Sequence, residues 1–343
     1  MRALAVTNPN ATSMSPRTRD VIVRALGSEL KIDVAETAAR GHAADLAAQA
    51  RADGVDLVIA VGGDGTVNEV VNGLLRGSDD TDVPRFAVVP GGNANVFARA
   101  LGLPVEPIEA TGTVIERLRA GRERRINLGL LDTDIIGGDP TPHEPTPHEP
   151  RAGGPAELRS LRRWFTFCVG LGLDAEVVRA VEQHRADGTR ATPRLFFRTA
   201  LAQFFHTDRS RPALTLERTD DESAVSAALT SSETALFWAV ITNTTPWTYF
   251  GDRPLEPTPE ASFDTALDVF ALRNLHALSS ARILRRLLTG KTPRGRAVVS
   301  HHDEAWLKFR ARRPIAVQVD GEYLGDCLAA SIVSAPDALA VVC

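Results

Sequence analysis

The stretch Leu57-Val58-Ile59-Ala60-Val61-Gly62-Gly63-Asp64-Gly65-Thr66-Val67-Asn68-Glu69 decides how the first half of this chain is read. An apolar run enters a cluster of glycines, which marks a strand ending in a tight turn. Beyond the turn, Val67, Val70, Val71 and Leu74 recur at helical spacing, one face of an amphipathic helix. A strand, a glycine turn and a helix N-terminus together present backbone N–H groups and a positive dipole end, which suits phosphate. Asp64 and Thr66 add an acid and a hydroxyl able to order a metal ion or a phosphate oxygen. The arrangement points to nucleotide chemistry.

The same architecture recurs downstream. Phe86-Ala87-Val88-Val89 reads as a buried strand, and Pro90-Gly91-Gly92-Asn93-Ala94-Asn95 turns into a helix over Val96–Leu101. Gly102 closes that helix, with Pro104 just beyond. Upstream, Ala3-Leu4-Ala5-Val6 forms a short strand ending at Thr7-Asn8-Pro9, where Asn-Pro favours a turn. Asp33-Val34-Ala35-Glu36-Thr37 precedes an alanine-rich helix from about Ala38 to Ala52, for which Thr37 is the expected N-cap.

Gly62-Gly63-Asp64-Gly65-Thr66 resembles the signature shared by bacterial diacylglycerol kinases, sphingosine kinases and, more distantly, NAD kinases. The extension Val67-Asn68-Glu69-Val70-Val71-Asn72-Gly73 is similar to the lipid-kinase form. The second turn resembles the family element Pro-x-Gly-Thr-x-Asn-Asp-x-Ala-Arg, with Gly92, Asn95, Ala98 and Arg99 in register. Asn93 stands where that element has Thr, and Val96 where it has Asp; the second change removes an acid implied in the metal network of the bacterial enzymes. The resemblance implies nucleotide contacts from Asn8, Thr37, Gly62, Gly63, Gly65, Thr66, Val67, Asn68 and Asn93. It also implies that Asp64 holds magnesium.

The second half reads as mainly β. Trp164–Val169 and Ala235–Ile241 are expected strands. Gly170-Leu171-Gly172-Leu173-Asp174-Ala175-Glu176-Val177 is similar to a family element that carries Phe where Leu173 stands. Pro257, Ala261, Asp264, Leu267 and Asp268 match a further family run, which implies a structural magnesium site with Asp264 as its carboxylate. Read alone, Asp264 caps a turn. Ile315, Val317 and Val319 alternate along a half-buried strand, and Asp320-Gly321 reads as a hairpin turn. The full Val319-Asp320-Gly321-Glu322 resembles a signature of the same kinases and implies Asp320 at the nucleotide. The family role of Glu322 is the base that takes the lipid hydroxyl's proton, with Asp64 as the competing base.

Composition fits a two-domain enzyme: 343 residues, 43% hydrophobic, net charge −4. No apolar run approaches bilayer-spanning length, and Cys168, Cys327 and Cys343 have no metal-like spacing. A reducing compartment fits them. Between Arg282 and Arg313 there are ten Lys or Arg residues against Asp303 and Glu304. Ile283, Leu284, Leu287 and Leu288 make a helical face there, with Ser279 or Ser280 as the expected cap. This basic helix reads either as a packed helix with a solvated edge or as one lying on anionic lipid. Leu195-Phe196-Phe197 with Leu201, Phe204 and Phe205 is expected to build a core wall or line a lipid pocket. Thr141-Pro-His-Glu-Pro145 repeats at once as Thr146-Pro-His-Glu-Pro150, an exposed insertion over about residues 134–160. Its His143 and His148, with Glu144 and Glu149, read as linker residues before metal ligands.

The expected architecture is an α/β, Rossmann-like, NAD-kinase-like nucleotide-binding domain over residues 1–130, with 335–343 open to completing it. A mainly β, β-sandwich lipid-substrate domain over 131–334 follows. The resemblance implies ATP and Mg2+, a lipid alcohol as substrate, and transient contact with an anionic membrane surface from the cytoplasmic side. Diacylglycerol leads as substrate; a sphingoid base, NAD, or a silent nucleotide- or lipid-binding role are the alternatives. Nucleic acid is not an expected partner, and a homodimer is left open.

Overall fold

The computed structural model describes residues 1–9, 11, 14–77, 83–137, 158–186, 192–217 and 234–343. The duplicated Thr-Pro-His-Glu-Pro segment, with His143, Glu144, His148 and Glu149, lies outside the described residues. Contacts divide the chain into two units. One holds Met1–Leu128 and Pro336–Cys343; the other runs from Gly129 to Ala335.

The first unit alternates strands and helices: β1 (Arg2–Thr7), α1 (Pro16–Gly27), β2 (Lys31–Glu36), α2 (His42–Ala52), β3 (Leu57–Gly62), α3 (Asp64–Leu74), β4 (Arg85–Pro90), α4 (Val96–Ala100) and α5 (Pro107–Arg119). Its sheet is parallel, in the order β4-β3-β1-β2, and Val341 near the chain's end pairs with Phe86 of β4. β3 is buried at every position, as a strand covered on both faces must be. α2 packs with α3, and α1 with α5. Strand order reverses between β1 and β3. Ligands of open α/β sheets bind in the crevice at the carboxyl ends of such strands.

Two local outcomes differ from expectation. The alanine-rich helix starts at His42 with Gly41 as N-cap (φ 84°), so Thr37 is not its cap. Glu69 on α3 supplies a partner instead, its Oε2 accepting the Ala43 amide at 3.2 Å. Close packing makes this reach easy: a Cβ on Gly73 of α3 would collide with the backbone of Ala44.

The second unit is built from antiparallel strands. β5 (Glu123–Ile136) pairs with β6 (Leu158–Phe165), and β7 (Cys168–Gly172) leads into α6 (Leu173–Ala186) and α7 (Pro193–His206). Then come β8 (Leu214–Glu217), β9 (Thr234–Leu236), β10 (Trp238–Thr242), the small hairpin β11 (Thr248–Phe250) and β12 (Arg253–Leu255), and β13 (Leu267–Leu272). α8 (Ala277–Leu288), β14 (Val298–Glu304), β15 (Trp306–Val319) and β16 (Glu322–Val342) complete the chain. The order β14-β13-β10-β7-β15 is antiparallel throughout. Leu161, Phe165, Val169, Ile241, Phe309 and Val317 lie in one core.

Here Trp164–Val169 is not one strand but two, β6 and β7, interrupted at Thr166-Phe167. The carboxylate of Asp320 causes the break. Its Oδ2 accepts the Thr166 amide at 2.7 Å and the Thr166 hydroxyl at 2.9 Å; its Oδ1 accepts the Phe167 and Cys168 amides at 2.9 and 3.0 Å. Backbone donors spent on a side chain are unavailable to a ladder. The basic helix α8 also begins differently, after His276, with no side-chain cap; Ser279 bonds to the His276 carbonyl instead.

Candidate active site

Two glycine turns meet backbone to backbone at the carboxyl ends of β3 and β4. The Gly91 amide donates to the Gly62 carbonyl at 2.8 Å. A Cβ built on Gly92 would lie 2.7 Å from the Cα of Gly63, so no larger residue fits there without a backbone shift. Asp64, first residue of α3, then reaches across: Oδ2 accepts the Val96 amide at 3.1 Å and Oδ1 the Phe97 amide at 3.2 Å. These are orphan donors of α4, and a carboxylate at a helix N-terminus is favoured by charge as well as by hydrogen bonding. Asn95 sits in the left-handed region (φ 46°), and its amide group exchanges hydrogen bonds with the Gly92 backbone at 2.7 and 2.8 Å.

β1 joins the same edge. The Asn8 side chain donates to the Thr66 hydroxyl at 3.3 Å, and the Asn8 amide to the Val61 carbonyl at 3.2 Å. The Thr37 amide donates to the Thr7 carbonyl at 2.9 Å, which sets Thr37 beside the end of β1. Thus Asn8, Thr37, Gly62, Gly63, Asp64, Gly65, Thr66 and Asn93 gather on the carboxyl edge of the parallel sheet, and Gly65 and Asn93 are exposed.

The helix over this edge is open at its start. α3 has Gly63 as N-cap with no side-chain cap bond. Among the described residues, no atom apart from the chain neighbours and the nearby backbone of α3 itself comes within 4 Å of a Cβ built on Gly65. The residues present therefore suit a phosphate: amides at a helix start, a positive dipole end, and a position bare of side chain.

Two of the residues expected at the nucleotide turn inward. Val67 is 1% exposed, packed in the core, and its amide already donates to the Gly63 carbonyl at 3.1 Å. Asn68 is equally buried, its Oδ1 accepting from the Asn72 side chain at 3.1 Å. Helical periodicity explains both, because positions three and four past the turn rotate inward. Asp320, also expected at the nucleotide, has its carboxylate bonded within the second unit. It lies in the two-residue hairpin turn between β15 and β16, with Asp320 and Gly321 both at positive φ (47° and 81°), as that turn requires. Its four accepted bonds tie it to Thr166–Cys168, an anchor within the second unit. Burial pushes its carboxyl up, against the bonds that favour the charged form.

Glu322, the first residue of β16, is paired with Arg163, Nη2 to Oε2 3.3 Å. Arg163 is 6% exposed, a buried cation. It was not among the expected site residues, yet a signal existed: it falls in phase with Leu161 and Phe165, the inward positions of β6. Nearby in the chain's second unit, Gln318 donates to Asp174 Oδ2 at 2.7 Å. Burial pushes the Asp174 carboxyl up to about 6, partly offset by that bond.

Asp264 is exposed and turns back on Ser262, whose hydroxyl accepts its amide at 3.2 Å. Among the described residues no group of three or more His, Cys, Asp or Glu side chains could hold a metal ion. Asp64 is a different case. Its carboxylate stands at the start of α3, in keeping with magnesium's habit of binding few carboxylates plus water and phosphate.

Residues 2–131 match the family model of the diacylglycerol kinase catalytic domain. A protein named probable lipid kinase YegS-like from Chromohalobacter salexigens is 40% identical over 123 residues, 35% of this chain and 37% of its own. The diacylglycerol kinase of Bacillus subtilis is 46% identical over 94 residues, 27% of this chain and 29% of its own. These matches therefore span well under half of each relative. A solved diacylglycerol kinase structure from Bacillus anthracis strain Sterne has a TM-score of 0.64 at 16% identity, covering 99% of this chain and 96% of its own. A second from that strain reaches 0.68 at 19%. The likeness in fold thus extends over both units, beyond the reach of the sequence match.

Proposed function

We propose that this protein is a lipid kinase that moves the γ-phosphoryl group of ATP to the hydroxyl of a lipid alcohol, diacylglycerol first among them. The observation that carries the reading is Gly65, exposed in the first turn of α3 with no described atom beyond its own helix near its missing side chain. A glycine inside a helix costs up to about 1 kcal/mol relative to alanine, and no contact among the described residues asks for one. Close approach of phosphate to the α3 amides does. The family of residues 2–131 and the names of the relatives supply the lipid half of the reading.

Phosphoryl transfer through a loose transition state asks a protein for positioning and charge neutralisation more than for covalent chemistry. The α3 amides and Gly65 would receive phosphate oxygens, with Thr37 and Asn93 at the nucleotide's rim. Asn8 and Thr66 brace one another and hold the turn's shape. Asp64 would hold magnesium. A bound magnesium ion neutralises charge on the phosphate oxygens. Glu322 would take the proton of the lipid hydroxyl as that oxygen bonds to the γ-phosphorus and the bond to the departing ADP oxygen breaks. Asp64 is the weaker candidate for that base, since both of its oxygens already accept backbone amides. Such an enzyme would work from the cytoplasm at the inner face of the membrane.

The test is incubation of the pure protein with Mg2+, γ-labelled ATP and mixed micelles holding diacylglycerol or sphingosine, beside Asp64→Asn. Label in the diacylglycerol product, absent with the variant, is the expected result. Label in sphingosine alone would move the substrate class. Labelled NADP from a parallel reaction with NAD, and no labelled lipid, would overturn the reading.

A further inference from the structure

α7 does not form the core wall or pocket lining expected of it. Phe197, Leu201 and Phe205, four residues apart, are 41, 50 and 60% exposed. This spacing sets them in one outward stripe, and Arg194 and Arg198 run beside it, both exposed. Arg209, just past the helix, lies over the Phe204 and Phe205 rings at 5.1 and 5.6 Å. The buried side of α7 carries little apolar weight, since Thr199 is its buried residue. A cleft of about 310 Å³ beneath it takes only Gln203 and His206 from the helix and is lined with charge, Glu176, Arg179, Asp208 and Arg313 among it.

The stripe continues onto other elements of the same unit. Phe197 makes an edge-to-face ring contact with Phe250 of the β11–β12 hairpin, centroids 6.3 Å apart. β12 in turn packs beside α8. On α8, Ile283 and Leu287 are buried while Leu278 is 76% exposed, and Arg282 and Arg285 face solvent. From Arg273 to Arg296 there are seven Lys or Arg residues and no acid. The acids nearest in the chain are Asp208 after α7, Asp252 at the hairpin tip, and Glu256 and Glu260 after β12, fewer than the basic residues of this face.

We propose that α7, the β11–β12 hairpin and α8 together form a docking face for an anionic lipid bilayer, in which Phe197, Leu201 and Phe205 enter the headgroup boundary and the arginines of α7 and α8 meet lipid phosphates. An exposed aromatic stripe buried into the interface is favourable in proportion to its apolar area, and each basic residue near an anionic surface adds attraction. Charge selects the occupant: a second copy of this chain would bring the same basic face and repel it. α7 supplies an apolar stripe with few charges, and α8 supplies charge with Leu278 and Leu284 exposed beside it.

Vesicle binding tests this without any turnover, so its failure and the failure of the kinase reading are separable. The full chain would be sedimented with phosphatidylcholine vesicles and with vesicles that also hold phosphatidylglycerol. Strong binding to the second and little to the first is expected. Phe197→Ser/Leu201→Ser/Phe205→Ser and, separately, Arg282→Ser/Arg285→Ser should each weaken it, the latter by about fivefold for each arginine removed. Far-UV circular dichroism checks that both variants fold. Equal binding to both vesicle types, no binding to either, or binding that survives both variants would overturn the proposal. A concentration-dependent dimer abolished by the α7 variant, with no vesicle binding, would overturn it in favour of a self-association surface.

Discussion

Asp64 holds Phe97: the carboxylate Oδ1 accepts the Phe97 amide at 3.2 Å, and through this bond and its companion to Val96 the first glycine motif caps the helix of the second. An acid that serves the fold and the proposed chemistry at once predicts two separable losses. Asp64→Ala leaves two helix-terminal amides without their acceptor and should cost about 1–3 kcal/mol of stability. Asp64→Asn keeps an acceptor and should cost less, while turnover is lost. Urea unfolding beside the lipid kinase assay measures both. Full activity in the Asn variant would remove Asp64 from the chemistry and leave it a cap.

Gly65 predicts the reverse pattern. Gly65→Ala meets no described atom beyond its own helix and should leave stability unchanged or raise it by about 0.4–1 kcal/mol. Nucleotide affinity, read by calorimetry, should fall tenfold or more, on the order of 1.4 kcal/mol. A stabilised variant that binds ATP normally would take the phosphate away from this turn.

Gly73 separates packing from ligand demands within the same motif. Gly73→Ala forces α3 away from the Ala44 backbone and should cost about 1–3 kcal/mol, the usual penalty for overpacking. Nucleotide affinity measured under folding conditions should hold. A neutral change in unfolding midpoint would show the α2–α3 crossing to be looser than described.

Glu322→Gln should lower kcat about 100-fold or more, the range for a lost general base, with the KM for ATP little changed. The pair with Arg163 makes a second readout available. Glu322→Ala leaves a buried guanidinium without that partner, so it should be less stable than the Gln variant, which keeps an acceptor oxygen. Intact turnover in Glu322→Gln would return the base to Asp64.

Asp174 predicts a pH dependence of stability. Its folded carboxyl titrates at about 6 against an ordinary value of 3.8, because burial disfavours the charge. The folded state therefore binds the extra proton, and the contribution is fully present below about 3.8 and lost as pH rises through about 6. Relative to Asp174→Asn, the wild-type protein should lose stability between those pH values and differ by a constant amount above them. Thermal melts of both across that window check the sign; a flat difference would mean the carboxyl is solvated.

Much of the site was legible because phosphate chemistry uses local backbone. Gly62–Thr66 follow a strand in sequence, so their place at a sheet edge follows from periodicity alone, and Asn8, Thr37 and Asn93 arrive there because each ends or follows a parallel strand. Val67 and Asn68 turn inward, since a motif is read as letters while a helix rotates each letter by a fixed angle. Asp320 is spent on the fold for another reason. Its four donors lie about 150 residues away, and nothing near it in the chain announces them. Arg163 was hidden in plain alternation, a charge on an inward phase that pairs with the distant Glu322.

What the chain determined by itself was the succession of strands, glycine turns and helices, the parallel α/β unit followed by an antiparallel one, and the run of polar residues at strand ends. These depend on hydrophobic period and on the steric freedom of glycine, both local properties. The tertiary structure decided which polar side chains are spent on the fold and which face outward. Asp64 became a cap, Asp320 an anchor, Asp264 a turn, and the phenylalanines of α7 a surface. Such outcomes turn on the competition of one donor or one apolar face among many distant partners. Only a folded chain resolves it, because the cost of an unsatisfied buried group is levied by its neighbours in space.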